Sequence, residues 1–480
     1  SKFDSMAEGK AKQARQEAAS GRAAKDFLEA DPPDAITLGA LSQLDVRKLG
    51  LASVPSSLGL CRRLVKLDLG DNPLLKVPDL VAELPCLEIL FASGVDMKEV
   101  PLAVHKCEKL HMVGFRNNQI ASLNGACFPQ NLAWLIAAGN QIREMPNISR
   151  LQHIRKLMLS HNRLTCAGLA PVAEIPALEM LRVAGNCLEA FPKALLRHPR
   201  LAWVAVGGNP FAEAALEKRL HGAPPLVDFK EVSVGEKLGS GAGATVYRGS
   251  WRGRVVAVKL WDQETFSDGS AKGEWSINLV ASAPGHRSII GVLGAFSEPR
   301  MGMILELLEN AVAAAGPPTP ASVTRDSPPS DGRKLDSVGA LKVAEGVALA
   351  GAYLHSRGLT HADIYLHNTL IITEPVPRGG PLVSVRDVRL SDFGGATAVS
   401  DDEDGRALQR LELRSFGWLL QDLLDLCMAA PAPEEADAVA LLQDVRARCA
   451  QEDVERLPKF ADLAVELSTF LHGHGSGVAP

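Results

Sequence analysis

The chain has 480 residues, of which 46% are hydrophobic and 22% are charged, and its formal net charge is −5. At roughly 150 residues for each domain, this length predicts two or three domains. The acidic balance predicts no nucleic-acid partner and no anionic membrane partner, and no apolar run approaches the ~18 residues of a membrane span. We therefore expect a cytoplasmic protein. Its eight cysteines include no C-x-x-C pair, and we expect them to be reduced.

Residues 1–34 are rich in Ala, Lys, Arg and Glu and hold few large apolar side chains. This composition predicts a helical or disordered leader.

Residues 35–221 carry an internal repeat with the pattern L-x-x-L-x-L-x-x-N and a spacing of 22 to 24 residues. The eight copies start at Leu41, Leu64, Leu87, Leu110, Leu132, Ile154, Leu178 and Leu201. The ninth position holds Asn in six copies, where a short amide can satisfy backbone groups at the bend after each strand. This pattern is similar to leucine-rich repeats, and it predicts an α/β solenoid, a horseshoe of parallel strands.

Several repeat strands place large apolar side chains at positions that we expect to point away from the core. They are Phe91, Met112, Trp134, Ile136, Met158, Met180 and Trp203. Adjacent strands lie only ~4.8 Å apart, so these side chains would form one apolar ridge. We interpret the ridge as a protein-binding groove centred on Trp134. It could instead be a seat for the C-terminal domain of the same chain, and a further reading is that single large side chains are simply tolerated there.

The repeat stops near Gly-Ala-Pro-Pro at 222–225, where we place a domain boundary, and strand-like alternation follows from about residue 228. A Gly-rich loop, Leu238-Gly239-Ser240-Gly241-Ala242, runs on to Val246, and a strand with Ala257 and Lys259 comes next. Missing side chains in such a loop let backbone N–H groups approach phosphates. Further on lie an apolar strand ending at Glu306 and Leu308, a loop with Asp363 and Asn368, and the run Asp392-Phe393-Gly394.

These motifs, in this order, resemble the catalytic core of protein kinases over residues 228–470. The resemblance implies an α+β bilobal fold that binds ATP in the cleft, with Leu238 to Ala242, Val246, Ala257, Glu306 and Leu308 around the nucleotide. It implies that Lys259 contacts the nucleotide phosphates and is held by Glu274, with Glu264 as the rival. It further implies that Asp363 accepts the proton of the substrate hydroxyl and that Asn368 and Asp392 bind Mg.

Three regions depart from the family pattern or lie outside it. Residues 310–336, rich in Pro, Ser and Ala, predict a disordered insertion, and residues 471–480 predict a flexible tail. Ala362 replaces the arginine that usually precedes the catalytic Asp, and the segment after Asp392 is short and lacks Ala-Pro-Glu. We therefore expect activity that does not depend on phosphorylation of that segment.

The leading interpretation is a serine/threonine protein kinase, similar to the tyrosine-kinase-like group, whose repeats recruit a protein partner or substrate. Two alternatives remain open at this point. Ala244 at the third Gly position, Ala362 and the short segment favour a nucleotide-binding scaffold with weak catalysis. The His-x-Asp loop without Ala-Pro-Glu also fits a small-molecule kinase of the aminoglycoside or choline type.

Overall fold

The computed structural model of the chain describes residues 18–220, 226–241, 243–375, 382–430 and 435–473. These fall into two compact units, one up to Leu178 and one from Glu179 onward. The predicted boundary at 222–225 and most of the predicted 471–480 tail lie outside the described residues, as does the leader up to residue 17. The division therefore falls earlier than the predicted boundary, because the last two repeats pack within the second unit.

The first unit is built on short parallel strands that pair in chain order. They are β1 (Ala18–Ser20), β2 (Gln43–Asp45), β3 (Lys66–Asp68), β4 (Ile89–Phe91), β5 (Met112–Gly114), β6 (Trp134–Ile136) and β7 (Lys156–Met158). The middle residue of each strand from β2 to β7 is buried, and these residues are Leu44, Leu67, Leu90, Val113, Leu135 and Leu157. Strands β2 to β7 coincide with the first six predicted repeats, because each strand buries the inward Leu or Val of its copy.

Short helices connect these strands. The α-helices are α1 (Gly21–Glu29), α2 (Ala35–Ala40) and α3 (Cys166–Leu169), and the 3₁₀ turns are Ser56–Leu60, Asp79–Glu83, Leu102–Lys106, Gly125–Cys127, Ile148–Arg150 and Ala170–Glu174. The turns at Ser56, Asp79 and Leu102 each follow a proline, which has no backbone N–H to donate and suits the start of a turn.

Part of the predicted leader, residues 1–34, is ordered, because it contains β1 and α1.

The asparagine at the ninth repeat position links neighbouring repeats. Asn118 is buried, its Oδ1 accepts hydrogen bonds from the backbone N–H groups of Val95 and Met97, at 3.0 and 3.1 Å, and its Nδ2 donates to the carbonyls of Ala92 and Phe115. Asn72 makes the equivalent bonds two repeats earlier. Strand pairing ends at this bend. The side-chain amide supplies hydrogen bonds to the backbone N–H and carbonyl groups that are left without strand partners.

The second unit starts with the last two repeat strands, β8 (Met180–Arg182) and β9 (Trp203–Ala205), which pair in parallel. Helix α4 (Lys193–Leu196) follows β8, and helix α5 (Pro210–Glu217) follows β9. A sheet with the order β10-β11-β12-β14-β13 comes next and is packed against α6 (Ala271–Ala281). Its strands are β10 (Val232–Ser240), β11 (Ala244–Trp251), β12 (Arg254–Trp261), β13 (Val292–Phe296) and β14 (Gly302–Glu306).

The remainder of the second unit is largely helical. Its helices are α7 (Ser337–Ser356), α8 (Glu403–Asp422), α9 (Ala436–Cys449) and α10 (Phe460–Gly473), and its strands are β15 (Ala311–Ala313), β16 (Lys334–Leu335), β17 (Leu359–Thr360), β18 (Thr369–Pro375), β19 (Leu382–Leu390) and β20 (Thr397–Ala398). Strands β18 and β19 form an antiparallel hairpin, and β17 pairs with β20. A sheet-rich part followed by a helical part agrees with the predicted α+β architecture.

Helix α7 has the length and apolar composition of a membrane span, contrary to the expectation from sequence that no such run exists. However, 67% of its apolar window is buried inside the structure, as in the core helix of a globular domain. Its long apolar surface is therefore accounted for by packing within the second unit.

The predicted disordered insertion, residues 310–336, is ordered in the structure. It forms β15 and β16, and it buries Val323, Thr324 and Asp326. The Nε and Nη2 groups of Arg325 donate to the two carboxylate oxygens of Asp422. The Arg325 guanidinium lies 4.1 Å from the ring centroid of Trp418. Composition alone suggested disorder because the few residues that fix this segment are polar and act through specific partners.

The prediction of a solvent-facing apolar ridge is wrong for four of its seven residues. Met112, Met158, Met180 and Trp203 are buried, whereas Phe91, Trp134 and Ile136 are half-buried. The indole N–H of Trp134 points at the sulfur of Met158, 3.4 Å away, and the Lys156 ammonium lies 4.0 Å from the Trp134 ring. Met180 and Trp203 pack with Tyr365 in one buried cluster.

We predict that Asn118→Ala lowers the free energy of unfolding by at least about 2 kcal/mol, because two buried N–H groups lose their acceptor. Urea denaturation of the full chain measures this change. Glu108→Ala, which alters an exposed side chain near the same repeat, should leave the unfolding curve unchanged. Equal stability of the Asn118 variant and the unaltered chain would show that the amide does not join the repeats.

Candidate active site

A buried ion pair joins the strand lysine to the helix glutamate. Lys259 on β12 contacts the carboxylate of Glu274 on α6, and the indole N–H of Trp261 donates to the other carboxylate oxygen at 2.9 Å. Burial alone would lower the pKa of Lys259, but the carboxylates of Glu274 and Asp392 raise it, so the ammonium stays charged. The structure thus brings Lys259 to Glu274, and the rival Glu264 is exposed.

A cavity of about 410 Å³ lies beside this ion pair. It is lined by Leu238, Gly241, Val246, Ala257, Lys259, Leu305, Glu306, Leu308 and Asp392, among others. Of the other residues predicted to surround the nucleotide, Gly239 and Ser240 lie on β10 outside this lining, and Ala242 lies outside the described residues. Mostly apolar walls with a few polar groups at one end are typical of a nucleotide site.

The Gly-rich loop leaves room for a ligand. A Cβ atom placed on Gly239 or Gly241 would meet no protein atom within 4 Å, so the packing of the protein does not itself require glycine there. By contrast, a Cβ on Gly243 would come within 2.7 Å of Phe266. The first two glycines therefore fit a loop whose backbone approaches a bound group.

The catalytic loop between β17 and β18 presents Asp363 and Asn368 together. The Asn368 amide donates to both the backbone carbonyl and the carboxylate of Asp363, at 3.0 and 2.9 Å. His361 joins the loop to Ser391. Its Nδ1 accepts a hydrogen bond from the Asp363 N–H, and its Nε2 lies 3.1 Å from the Ser391 carbonyl oxygen. Burial lowers the pKa of His361, which agrees with a neutral ring that donates through Nε2.

Asp392 lies at the same end of the β18–β19 hairpin as Asn368. Thr369 pairs with Leu390 in this hairpin, so Asn368, which precedes β18, and Asp392, which follows β19, lie close together. The Ser391 N–H also donates to the Asn368 carbonyl. A carboxylate and an amide oxygen beside the cavity form a hard donor set, which fits a divalent cation bound with nucleotide phosphates.

Two non-glycine residues at this site adopt left-handed backbone conformations. Ala362 has φ 62° and Asp392 has φ 61°, which costs about 1–3 kcal/mol each. The N–H of Ala362 is held by the carboxylate of Glu412, whose second oxygen lies 2.8 Å from the Nε2 of His355. The fold therefore fixes the backbone on both sides of Asp363 without the arginine that Ala362 replaces.

Sequence reasoning missed a carboxylate that holds the other half of the catalytic loop. Asp326 is buried and accepts from the Leu366 N–H at 2.7 Å, and its second oxygen lies 2.6 Å from the Nδ1 of His367. The backbone N–H of Asp326 in turn donates to Asp422. Its position in a Pro- and Ser-rich segment concealed this role, and an isolated Asp carries no spacing signal.

Sequence reasoning also missed the contact of β8 with the catalytic loop. Arg182 forms an ion pair with Asp363, donates to the Ala362 carbonyl at 3.3 Å, and lies 3.4 Å from the carboxylate of Asp268. Its side chain is 2% exposed. Burial opposes the charged form, but the two carboxylates raise the pKa of Arg182 above its ordinary value. In sequence, Arg182 is only a variable strand position of a repeat.

We predict that Glu274→Ala lowers the free energy of unfolding of the second unit by about 3–5 kcal/mol, because it leaves a buried ammonium without its partner. It should also weaken Mg–ATP binding. Denaturation and calorimetric titration with Mg–ATP measure both effects. Glu264→Ala removes an exposed carboxylate ten residues earlier and should change neither. Equal losses in the two variants would contradict the assignment of Glu274.

Residues 232–414 match the family model of the protein kinase domain. The chain is similar to mitogen-activated protein kinase kinase kinase 11 of Rattus norvegicus, with 28% identity over 212 residues that cover 42% of this chain and 22% of the relative. It is also similar to the dual specificity protein kinase pyk3 of Dictyostelium discoideum, with 24% identity over 277 residues that cover 51% of this chain and 19% of the relative.

A third relative is kinase suppressor of Ras 2 of Homo sapiens, with 25% identity over 194 residues that cover 40% of this chain and 18% of the relative. The matched region thus spans about a fifth of the length of each of these relatives. A protein kinase domain implies ATP as substrate and a divalent metal as cofactor. Residues 232–414 are therefore a protein kinase domain, as the sequence motifs predicted.

Proposed function

We propose that the chain transfers the γ-phosphate of Mg–ATP to a serine or threonine hydroxyl of a protein. The observation that carries this proposal is the joint placement of the Lys259–Glu274 pair, the cavity, Asp363 and Asn368 within one site. These are the groups that phosphoryl transfer requires. The similarity to kinases whose names include serine/threonine and dual specificity types supports hydroxyl acceptors on proteins.

Each residue has a separate part in this reaction. Lys259 binds the nucleotide phosphates as a charged ammonium, and Glu274 fixes its position. Asp363 accepts the proton of the attacking hydroxyl through its carboxylate, while the Asn368 amide orients that carboxylate. Asn368 and Asp392 would hold the Mg ion, which neutralises charge on the phosphates when bound.

The apolar end of the cavity suits the adenine base. Val246, Ala257 and Leu305 are among the apolar side chains that line it. The carboxylate of Glu306 accepts from the Gly291 N–H at 2.8 Å and is therefore turned to the protein. The backbone of β14 and of the following residues up to Leu308 is left to recognise the adenine edge.

We also propose that residues 35–221 are leucine-rich repeats that recruit a protein partner or substrate. The period of 22 to 24 residues, the parallel strands and the inward asparagines support this assignment. Because Met180 and Trp203 are buried against Tyr365, the recruiting surface would centre on Phe91, Trp134 and Ile136. The absence of a disulfide among the eight cysteines supports a cytoplasmic location.

The match to the protein kinase model and the Asp392-Phe393-Gly394 run favour a protein acceptor over a small molecule. Thr397 is buried in β20, and the Ser400 hydroxyl is bonded to Asp402. Both positions support the proposal that activity does not depend on phosphorylation of this segment. The Arg182–Asp363 contact is the observation that most favours the scaffold alternative.

We predict that Asp363→Asn lowers the rate of phosphate transfer by about 10²–10⁴-fold, because the amide cannot accept the hydroxyl proton. Transfer from [γ-³²P]ATP with Mg to protein and metabolite acceptors measures it. Mg–ATP binding should be retained. Glu403→Gln, at an exposed carboxylate on α8, serves as the matched control. Undiminished transfer by the Asp363 variant would exclude this residue as the base.

We predict that Trp134→Asp reduces both the capture of protein partners by the immobilised full chain and the labelling of captured proteins. The carboxylate would place charge within the half-buried apolar surface, while Mg–ATP binding should stay the same. Ile36→Asp, which changes an apolar residue that is 87% exposed, controls for added charge. A folded Trp134 variant with unchanged capture and labelling would refute the recruiting surface.

A further inference from the structure

Resting on the proposed function, we propose that the last two repeats of the chain are an internal inhibitor that occupies the acceptor site of the kinase domain. The occupant is the segment 179–206, which belongs to the same compact unit as the catalytic loop. In this arrangement the domain binds nucleotide, but a protein acceptor cannot reach Asp363 until the segment moves away.

Both oxygens of the Asp363 carboxylate have a protein partner. One oxygen contacts the guanidinium of Arg182, and the other accepts from the Asn368 amide at 2.9 Å. Asn368 belongs to the site itself, whereas Arg182 comes from a repeat strand 181 residues away. The oxygen that Arg182 takes is therefore the one that a substrate hydroxyl would need.

The segment also covers the loop beside Asp363. The indole of Trp203 stacks on the ring of Tyr365, with 4.8 Å between centroids and 6° between planes, and its N–H donates to the Ile364 carbonyl at 3.1 Å. Trp203 and Tyr365 are 1% and 2% exposed. A peptide acceptor must approach this same surface for its hydroxyl to reach Asp363, so it would meet the indole first.

Further polar contacts hold the segment on both sides of this centre. The Thr324 hydroxyl bonds to the carboxylate of Glu179 at 2.5 Å. On the other side, Arg414 donates to the carbonyls of His198 and Leu201, at 2.7 and 2.9 Å. Because these contacts come from both the insertion and α8, the segment is held at several points between Glu179 and Trp203.

The nucleotide side of the site is left assembled. Among the described residues, none from 179–220 lines the cavity beside Lys259, and the Lys259–Glu274 pair is formed. The block therefore acts on the acceptor and not on ATP. This selectivity distinguishes an inhibitor that imitates a substrate from a fold that has lost its nucleotide site.

The contact has the energetics of a reversible switch. Burying the Arg182 guanidinium between Asp363 and Asp268 exchanges hydration for ion pairs, and such buried pairs come close to balance. The Tyr365 hydroxyl is buried and makes no hydrogen bond with the residues that the structure describes, a cost that release would recover. These two polar groups therefore add little net stability to the closed state.

The test is steady-state transfer from ATP to casein by the full chain. An enzyme whose acceptor site is open only in a fraction of molecules shows a KM for the acceptor that is raised by the inverse of that fraction. We predict that Arg182→Ala lowers the KM for casein by about tenfold or more, leaves kcat at saturating casein unchanged, and leaves the KM for ATP unchanged. Arg163→Ala, at an exposed arginine of the preceding repeat, should match the unaltered chain.

Trp203→Phe provides a second variant that keeps the ring stack but removes the bond to the Ile364 carbonyl, and it should lower the KM for casein by a smaller factor. An unchanged or higher KM for casein in both variants, with the unaltered chain active, would overturn the inhibitor and leave the kinase proposal intact. A lower kcat at unchanged KM would also overturn it, because Arg182 would then position Asp363 for catalysis. If all variants bind Mg–ATP and none labels casein or any other acceptor, the kinase proposal fails and the inhibitor with it.

Discussion

The site depends on the pairing register of one hairpin, β18–β19. Because Thr369 faces Leu390, the loop that precedes β18 and the loop that follows β19 emerge side by side. Asn368 and Asp392 are brought together in this way, and the Asn368 amide carries the constraint on to Asp363. A slip of one residue in this register would turn each side chain to the opposite face. The polar groups of the site thus owe their convergence to backbone hydrogen bonds between apolar residues such as Ile371 and Val388.

Much of the catalytic machinery could be predicted from the sequence, since its residues occur in short motifs of fixed order. The resemblance to protein kinases implied that a helix glutamate holds Lys259, and the helical spacing after Glu274 favoured that residue. The structure places the two in contact. The repeats were predictable for a different reason. Their inward leucines recur with a period, and the strands β2 to β9 lie where that period places them.

The rest could not be predicted, because it depends on contacts between residues that are far apart in the chain. Arg182 and Asp363 are separated by 181 positions, and Asp326 reaches His367 from a segment whose composition suggests disorder. The ridge illustrates the same limit. Periodicity indicated that Met180 and Trp203 share a face, but only the fold reveals that Tyr365 covers them. Periodic patterns specify which way a side chain points and leave its neighbour undetermined.

Strands β8 and β9 follow the repeat pattern in sequence, yet they belong to the compact unit that contains the kinase fold. Their side chains Arg182 and Trp203 contact the catalytic loop. In evolution, exchange of this repeat array for another by recombination at the apparent end of the repeats would discard Arg182 and Trp203 and expose Tyr365. A recombination point that keeps these contacts therefore lies before Glu179. The last two repeats then stay with the kinase fold.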